Sequence, residues 1–371
     1  MSQPSYKIYP SLLQKFQSLL DVELEVNDFW NIDSDGNYKK TADEIAEKHE
    51  AELICMINRE GTAVIEAASK GTAFNEVVDC LIENRGSSRD DIAIRSVWYD
   101  PSCKMVISGD PEDIKDTTGL EKVIEASLDG FTFYFNTSFC KEVSRYFTGS
   151  IPQYLCSAIL PTQYGEVELY GYIDELRQDK VYDIKTTGYY QYGKFEKGWQ
   201  KEVYPYCLIE SGDCEEISEF EYTVVVWKEL KGQPITGTMY KECYSYNHEM
   251  TRQRLTQVCE RFIEWLEAHR DQITDKKIFG GENDEKPTLV EKPVLIEKHG
   301  VMTKEEFKAL WEANDEGSGL TYDDIAANAL AWGVDLERHP KCCRIDEVRY
   351  KVLKAAGVKD AEEYKPEDLE E

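Results

Sequence analysis

Two aspartates and a lysine define the chemistry that this sequence offers. Asp174 lies in the run LYGYIDEL at residues 169–176, and Asp183 and Lys185 lie in VYDIKTT at residues 181–187. A polar stretch at residues 177–180 turns one run into the other. Alternation along a strand puts Asp183 and Lys185 on one face, with Ile184 on the other. Two carboxylates and an ammonium gathered by such a hairpin can hold a hard divalent cation and steady a water beside a phosphate, which is the chemistry of phosphodiester hydrolysis.

The flanking sequence supplies elements that would position this hairpin. Residues 70–82 read as a helix, with Phe74, Val77, Val78, Leu81 and Ile82 on an apolar face and Asn75, Glu76 and Asp79 opposite. A strand is expected at 154–160, before the two strands of the hairpin, and a helix at 199–209 after them. The apolar run at 222–227 reads as a further strand, and residues 251–273 as a long amphipathic helix with Leu255, Val258, Phe262 and Leu266 as its stripe.

Farther upstream, a helix is expected at 11–20, a turn at 33–36 and a charged helix from Ala42. Residues 86–128 look like an insertion holding a hairpin at 94–106 and a short helix near Leu120. A strand at 131–135 follows, and then a helix to Phe147 capped by Thr137 or Ser138. The proline- and charge-rich residues 281–300 read as a linker. Three short helices near 304–313, 322–332 and 345–356 follow it, and the tail at 360–371 is acidic.

Composition narrows the class. The chain has 371 residues, 41% hydrophobic and 12% aromatic, enough for a substantial core. The absence of an 18-residue apolar run or an export-like start points to a protein with no membrane span, and the 11 scattered cysteines then read as reduced cytoplasmic thiols. Cys342 and Cys343 are adjacent and read as structural, and no spacing suits an iron–sulfur cluster. The five histidines, His49, His248, His269, His299 and His339, show no ligand spacing. Residues 188–195 nearly spell a phosphate-binding loop, but Phe195 stands where a hydroxyl is required.

Charge pulls the other way. A net charge of −29 repels nucleic acid, so binding would need a local basic groove. Residues 185–201 offer one, with Lys185, Lys194, Lys197 and Lys201 against Glu196 alone. The rings of Tyr189, Tyr190, Tyr192, Phe195 and Trp199 in the same stretch could stack on bases or pack inward.

GYIDEL, VYDIKTT and Gln200-Lys201-Glu202-Val203-Tyr204, in that order, resemble the PD-(D/E)XK nuclease superfamily, specifically its RecB-like exonuclease group with the pattern GxxD, DxK, QxxxY. The resemblance covers roughly residues 71–273. It implies an α/β (mixed α+β) fold: a restriction-endonuclease-like core with a central mixed sheet flanked by helices, plus a small C-terminal helical appendage. The implied organisation is a nuclease domain at 1–280 with the insertion at about 86–128, a linker at 281–300 and a helical module at 301–371.

By the same resemblance, Asp174 and Asp183 would bind Mg²⁺ or Mn²⁺, and Lys185 would orient or deprotonate the water. Gln200 and Tyr204 would lie beside the site and hold DNA, with Lys194, Lys197, Tyr189 and Tyr190 as further contacts. Relatives read RGTxxHxxxE upstream. Here KGTAFNEVVD puts Asn75 at the histidine position and Asp79 at the acid's, with Glu76 as a possible substitute ligand. An asparagine carbonyl binds Mg²⁺ more weakly than a carboxylate or imidazole.

The expected activity is that of a metal-dependent deoxyribonuclease, an exonuclease acting on DNA ends or single strands in recombination, repair or phage DNA metabolism, in a bacterial or phage-infected cytoplasm. The C-terminal module could recruit a recombination or replication protein. The competing expectation is a catalytically impaired nuclease-fold protein that binds DNA or assembles with other proteins.

Overall fold

A computed structural model describes residues 5–27, 31–32, 37–61, 64–107, 114, 116–178, 180–280, 300–313, 320, 322–336, 345–359 and 361–366. The turn at 33–36, nearly all of the 281–300 linker, Cys342, Cys343, His299, His339 and the end of the acidic tail lie outside them.

The fold is mixed α+β, with a central mixed sheet flanked by helices. Its spine is a hairpin of two long strands, β6 (Ile151–Thr162) and β7 (Gly165–Arg177). The other edge of β7 is shared. Its first half pairs in parallel with β1 (Tyr6–Ile8), through Val167–Leu169, and its last three residues pair antiparallel with β8 (Lys180–Thr187). β8 then runs parallel to β9 (Glu219–Lys228), and β10 (Thr236–Ser245) closes the edge. β1 and β10 were not expected. Three residues are too few for a period-two signal, and charged Lys241 and Glu242 interrupt the apolar pattern of β10.

Helices cover both faces. One apolar cluster joins the sheet to α1 (Pro10–Leu20), α3 (Ala42–Ile57), α6 (Gln200–Glu210) and α7 (His248–Ala268), through Phe16, Leu53, Val203, Leu255 and Phe262. A short helix, α2 (Val22–Val26), connects α1 to α3. α7 is capped by the Asn247 side chain and ends at Ala268, so it starts and stops earlier than residues 251–273.

A second cluster joins Tyr182, Ile184 and Val225 of the sheet to α4 (Glu66–Glu83) and α5 (Thr137–Tyr146). The same cluster includes Phe307, Trp311, Val348 and Leu353 of the C-terminal helices α8 (Lys304–Ala313), α9 (Tyr322–Ala331) and α10 (Ile345–Ala356).

The insertion differs in detail from its expectation. It forms a separate four-stranded sheet ordered β3 (Met105–Ile107), β2 (Ala93–Asp100), β4 (Glu121–Leu128), β5 (Phe131–Asn136). No helix forms near Leu120. Gly119 turns the chain at φ +78°, and Glu121–Leu128 pairs with strands on both sides. The inserted sheet continues past residue 128 into β5, which leads directly into α5. Asn136, not Thr137 or Ser138, caps that helix by accepting the Phe139 amide at 2.9 Å.

Candidate active site

The hairpin of β7 and β8 is paired only next to its turn: Glu175 with Tyr182, Leu176 with Val181 and Arg177 with Lys180. One residue farther, at Asp174, the strands separate. Asp174 Oδ2 accepts the Ile184 amide at 2.7 Å, so a carboxylate replaces the next rung of the ladder. The other edge is disturbed at the same level. Pro152 pairs with Glu175 and Tyr154 with Ile173, but Gln153, opposite Asp174, leaves the ladder with φ +51°. A non-glycine residue in the left-handed region is costly, and such strain concentrates at functional sites.

Period two sets the rest of the hairpin. Lys185 Nζ lies 2.7 Å from Asp183 Oδ2, so both side chains share the face that their spacing requires. The ammonium also sits over the Tyr222 ring at 5.5 Å. Burial pulls the Lys185 pKa down, but Asp183 and Asp174 more than reverse this and leave it raised. It is a held cation.

The acids respond differently. Burial, then the charge of Asp183, pushes Asp174 up to about 8. Asp79, on α4, is pushed up to about 7 by burial and then by Glu76. Glu175, fully buried, is raised well above the ordinary carboxylate range by burial and then by Asp79, although Ser150 Oγ donates to its Oε2 at 2.6 Å. Among the described residues the buried oxygens Asn75 Oδ1, Asp79 Oδ1 and Glu175 Oε1 meet no hydrogen-bond donor. Asn75 and Asp79 are one turn apart on α4, so both point from the same side of that helix.

Close approach explains the motif glycines. A Cβ on Gly71 would stand 2.6 Å from Thr186 Oγ1, so α4 can lie this near β8 only without a side chain there. A Cβ on Gly171 would stand 2.7 Å from Tyr204 Cε1. The Gly171 gap admits the Tyr204 ring beside the acids. Burial, then Asp183 and Asp174, raises the pKa of the Tyr204 phenol. Gln200, one turn earlier on α6, accepts the Tyr222 hydroxyl at 3.3 Å.

The residues expected from sequence therefore divide. Asp174, Asp183, Lys185, Asp79, Tyr204 and Gln200 converge, and Asn75 shares the α4 face. Glu76 does not turn toward the pair of aspartates. Its Oε1 accepts from Arg85 Nη1 at 2.9 Å, Ser87 Oγ at 3.0 Å and the Ser88 amide at 2.8 Å, which ties the end of α4 to the following loop.

The loop contacts divide as well. Lys194 donates to Thr187 Oγ1 and the Tyr189 carbonyl, bracing its own loop, and Lys197 pairs with Asp21 at 3.5 Å. The Tyr190 hydroxyl, the Gly193 amide and the Tyr244 hydroxyl all donate to Glu242. Of the five rings in this stretch, Tyr189 and Tyr192 are exposed, while Tyr190, Phe195 and Trp199 pack inward.

Glu175, Ser150, Gln153 and Tyr222 were missed. A glutamate next to Asp174 reads as the outward residue of an alternating strand, and nothing local reveals that Glu175 is buried.

The donor set fits a divalent cation. Four acids, Asp79, Asp174, Glu175 and Asp183, stand in electrostatic reach of one another with Lys185 and Arg177 as counter-charges, and several hard oxygens meet no protein donor. No three of these acids bring ligand atoms within 4.8 Å of each other. Among the described residues only Glu219, Glu221 and Cys243 do so. That trio is neutralised by Lys180 Nζ, 2.7 Å from Glu219 and 2.8 Å from Glu221.

No protein-family model matches the chain, and no curated protein is significantly similar to it. Among the described residues no helix is long and apolar enough to cross a membrane.

Proposed function

We propose that the chain is a metal-dependent nuclease of the PD-(D/E)XK type. The observation that carries this reading is the grouping of Asp174, Asp183 and Lys185 where β7 and β8 part, with α4 supplying Asp79 on one side and α6 supplying Tyr204 on the other. Asp174, Asp183 and Asp79, with the carbonyl oxygen of Asn75, would hold Mg²⁺ or Mn²⁺. When bound, such an ion supplies Lewis-acid charge and lowers the pKa of a water to the neutral range.

The protein's own groups do the rest. Lys185, kept protonated by Asp183, offers positive charge to a phosphate oxygen and a hydrogen bond that aims the attacking water. Tyr204 and Tyr222 wall the site and limit water. The exposed Tyr189 and Tyr192 give unpaired bases surfaces to stack on, in keeping with action on DNA ends or single strands.

End-labelled linear, circular and single-stranded DNA incubated with Mg²⁺ or Mn²⁺ tests this reading. Cleavage by the native chain and its loss in Asp174→Ala and Lys185→Ala are expected. Equal cleavage by both variants would refute the assignment.

A second reading rests on the −29 charge and on Asn75: a nuclease-fold protein that binds or assembles without cutting. Titration with Mn²⁺ separates the two. The catalytic reading requires binding that Asp183→Ala removes.

A further inference from the structure

A cavity of about 410 Å³ opens on the far side of the first turn of α6, between α1, the 197–199 segment and α7. Its size suits a nucleotide-sized ligand. Its charge is the reverse of the molecule's. Lys197, Lys201, Arg254 and Arg261 line it against Asp21 and Glu202, a local balance of +2 (four cations, two acids) on a chain of −29.

These cations are held in place. Glu202 is buried and receives Thr251 Oγ1 at 2.7 Å, Arg254 Nη1 at 2.5 Å and Lys201 Nζ at 3.3 Å. One internal carboxylate thus fixes a guanidinium and an ammonium at the wall. Arg254 also lies over the Trp199 ring at 5.7 Å, which keeps its planar fork in one orientation. Arg261 is exposed and is in no ion pair among the described residues.

Trp199 lines the cavity and is 7% exposed, so its ring forms a fixed apolar wall beside the cations.

We propose that this cavity binds a phosphate ester, either a mononucleotide or a phosphate of a nucleic-acid strand. Arg254 and Arg261 grip the phosphate oxygens, Lys197 and Lys201 add charge, and the Trp199 indole lies beside the bound group. The cavity and the acid site meet at one point. Gln200, between Trp199 and Lys201 in sequence, faces Tyr222 and so the acid site. A strand seated in the cavity would therefore lie on the neighbouring face of the same helix turn as the acids. The cavity's chemistry does not require the acids to be catalytic.

Calorimetric titration of the full chain in EDTA at low salt tests the proposal, because without metal no cleavage confuses binding. The probes are deoxyadenosine monophosphate, deoxyadenosine and a single-stranded DNA decamer. Tighter binding of the monophosphate than the nucleoside, by about tenfold or more, and a comparable loss in Lys197→Ala/Arg261→Ala are expected. Both replaced side chains are exposed, and Arg261→Glu serves as a second variant that should lower affinity further. Binding of the decamer alone, weakened by the same variants, would identify a strand phosphate as the ligand and also support the proposal. Equal affinity for nucleoside and monophosphate, or affinity for every probe unchanged by the variants, would overturn it. Failure here leaves the cleavage assay on Asp174→Ala unaffected, and failure of that assay leaves these titrations standing.

Discussion

Two groups of acids flank the same strand, β8, and are built in opposite ways. At the start of β8, Lys180 sits between Glu219 and Glu221, and the Tyr146 and Thr223 hydroxyls donate to Glu221 Oε1 at 2.6 and 2.7 Å. Glu221 is fully buried, yet its pKa is lowered: burial would raise it, and Lys180 and Lys241 more than reverse that. Three residues farther along β8, Asp183 shares its one close cation with Asp174, and the neighbouring Asp79 and Glu175 keep oxygens without donors. Here burial and repulsion between neighbouring carboxylates prevail, and Asp79, Asp174 and Glu175 are raised. The first group is satisfied by neighbouring protein groups, and the second keeps buried oxygens for which no donor is found among the described residues. Proximity of ligand atoms alone selects the first group, since the Lys180 cluster is the tighter one.

The strongest way to break this contrast is through activity. Asp183→Asn and Lys185→Ala should each lower DNA cleavage by at least about 10²–10³-fold, the scale of losing one preorganised stabilising group. Lys185→Ala also leaves the buried Asp183 without its close cation and should lower stability, so cleavage is compared at a temperature where every variant is folded. Cleavage that survives in Asp183→Asn but fails in Glu221→Gln would reverse the assignment of the two groups.

Next in size is a stability effect confined to the first group. Lys180→Met leaves Glu219 and Glu221 without their cation, and breaking a buried pair from one side costs about 3–5 kcal/mol. Urea unfolding should register that loss. A variant as stable as the native chain would mean that Lys180 is not what neutralises the cluster.

The third effect depends on pH. An unfolded aspartate titrates near 3.8 and Asp174 near 8, so the folded chain must keep a proton that the unfolded chain gives up. The resulting stability is fully present below the unfolded value and is lost as pH rises toward 8. At about 1.4 kcal/mol per unit, the loss by pH 8 is on the order of a few kcal/mol. In EDTA, Asp174→Asn should therefore melt higher than the native chain at pH 8, and the gap should close toward pH 4. Mn²⁺ should remove the gap by raising the native chain. A pH-independent difference would place the Asp174 carboxylate outside this balance.

The sequence revealed these regions unequally. Asp183 and Lys185 are legible because strand alternation alone puts them together. Asp174 is legible as an acid on a hairpin, but its bond to the Ile184 amide depends on strands that part, which no local pattern encodes. Gly71 and Gly171 stand in recognisable motifs, and their purpose appears only when Thr186 and Tyr204 are brought against them. Helices α4, α8 and α10 carry periodic signals, whereas α6 is buried from Glu202 through Leu208 and shows no such stripe. β1 owes its existence to β7, distant in sequence, whereas β10 is the edge partner of the preceding strand and is hidden by its charges; the basic cavity is also long-range, with walls from residues 17–24, 197–202 and 254–261.

The smallest expected effect separates a ligand from a brace within a single helix. Glu76 and Asp79 are both buried carboxylates of α4, three residues apart, and both were candidates for the metal. Glu76 has its donors: Arg85, Ser87 and the Ser88 amide converge on Oε1, and although burial would raise its pKa, they leave it lowered. Glu76→Gln keeps the shape and removes the charge, so it should cost about 1–2 kcal/mol, the range for weakening a charge-assisted hydrogen bond. Cleavage and Mn²⁺ affinity should stay near native. Asp79→Asn should do the reverse, leaving stability equal or higher in EDTA while lowering Mn²⁺ affinity about tenfold or more, since it deletes an anionic oxygen donor. Mn²⁺ titration and urea unfolding of the two variants, run side by side, would decide it. If Glu76→Gln were the one to lose the ion, α4 would have to rotate on binding, and the Arg85 bridge would be a latch to be released.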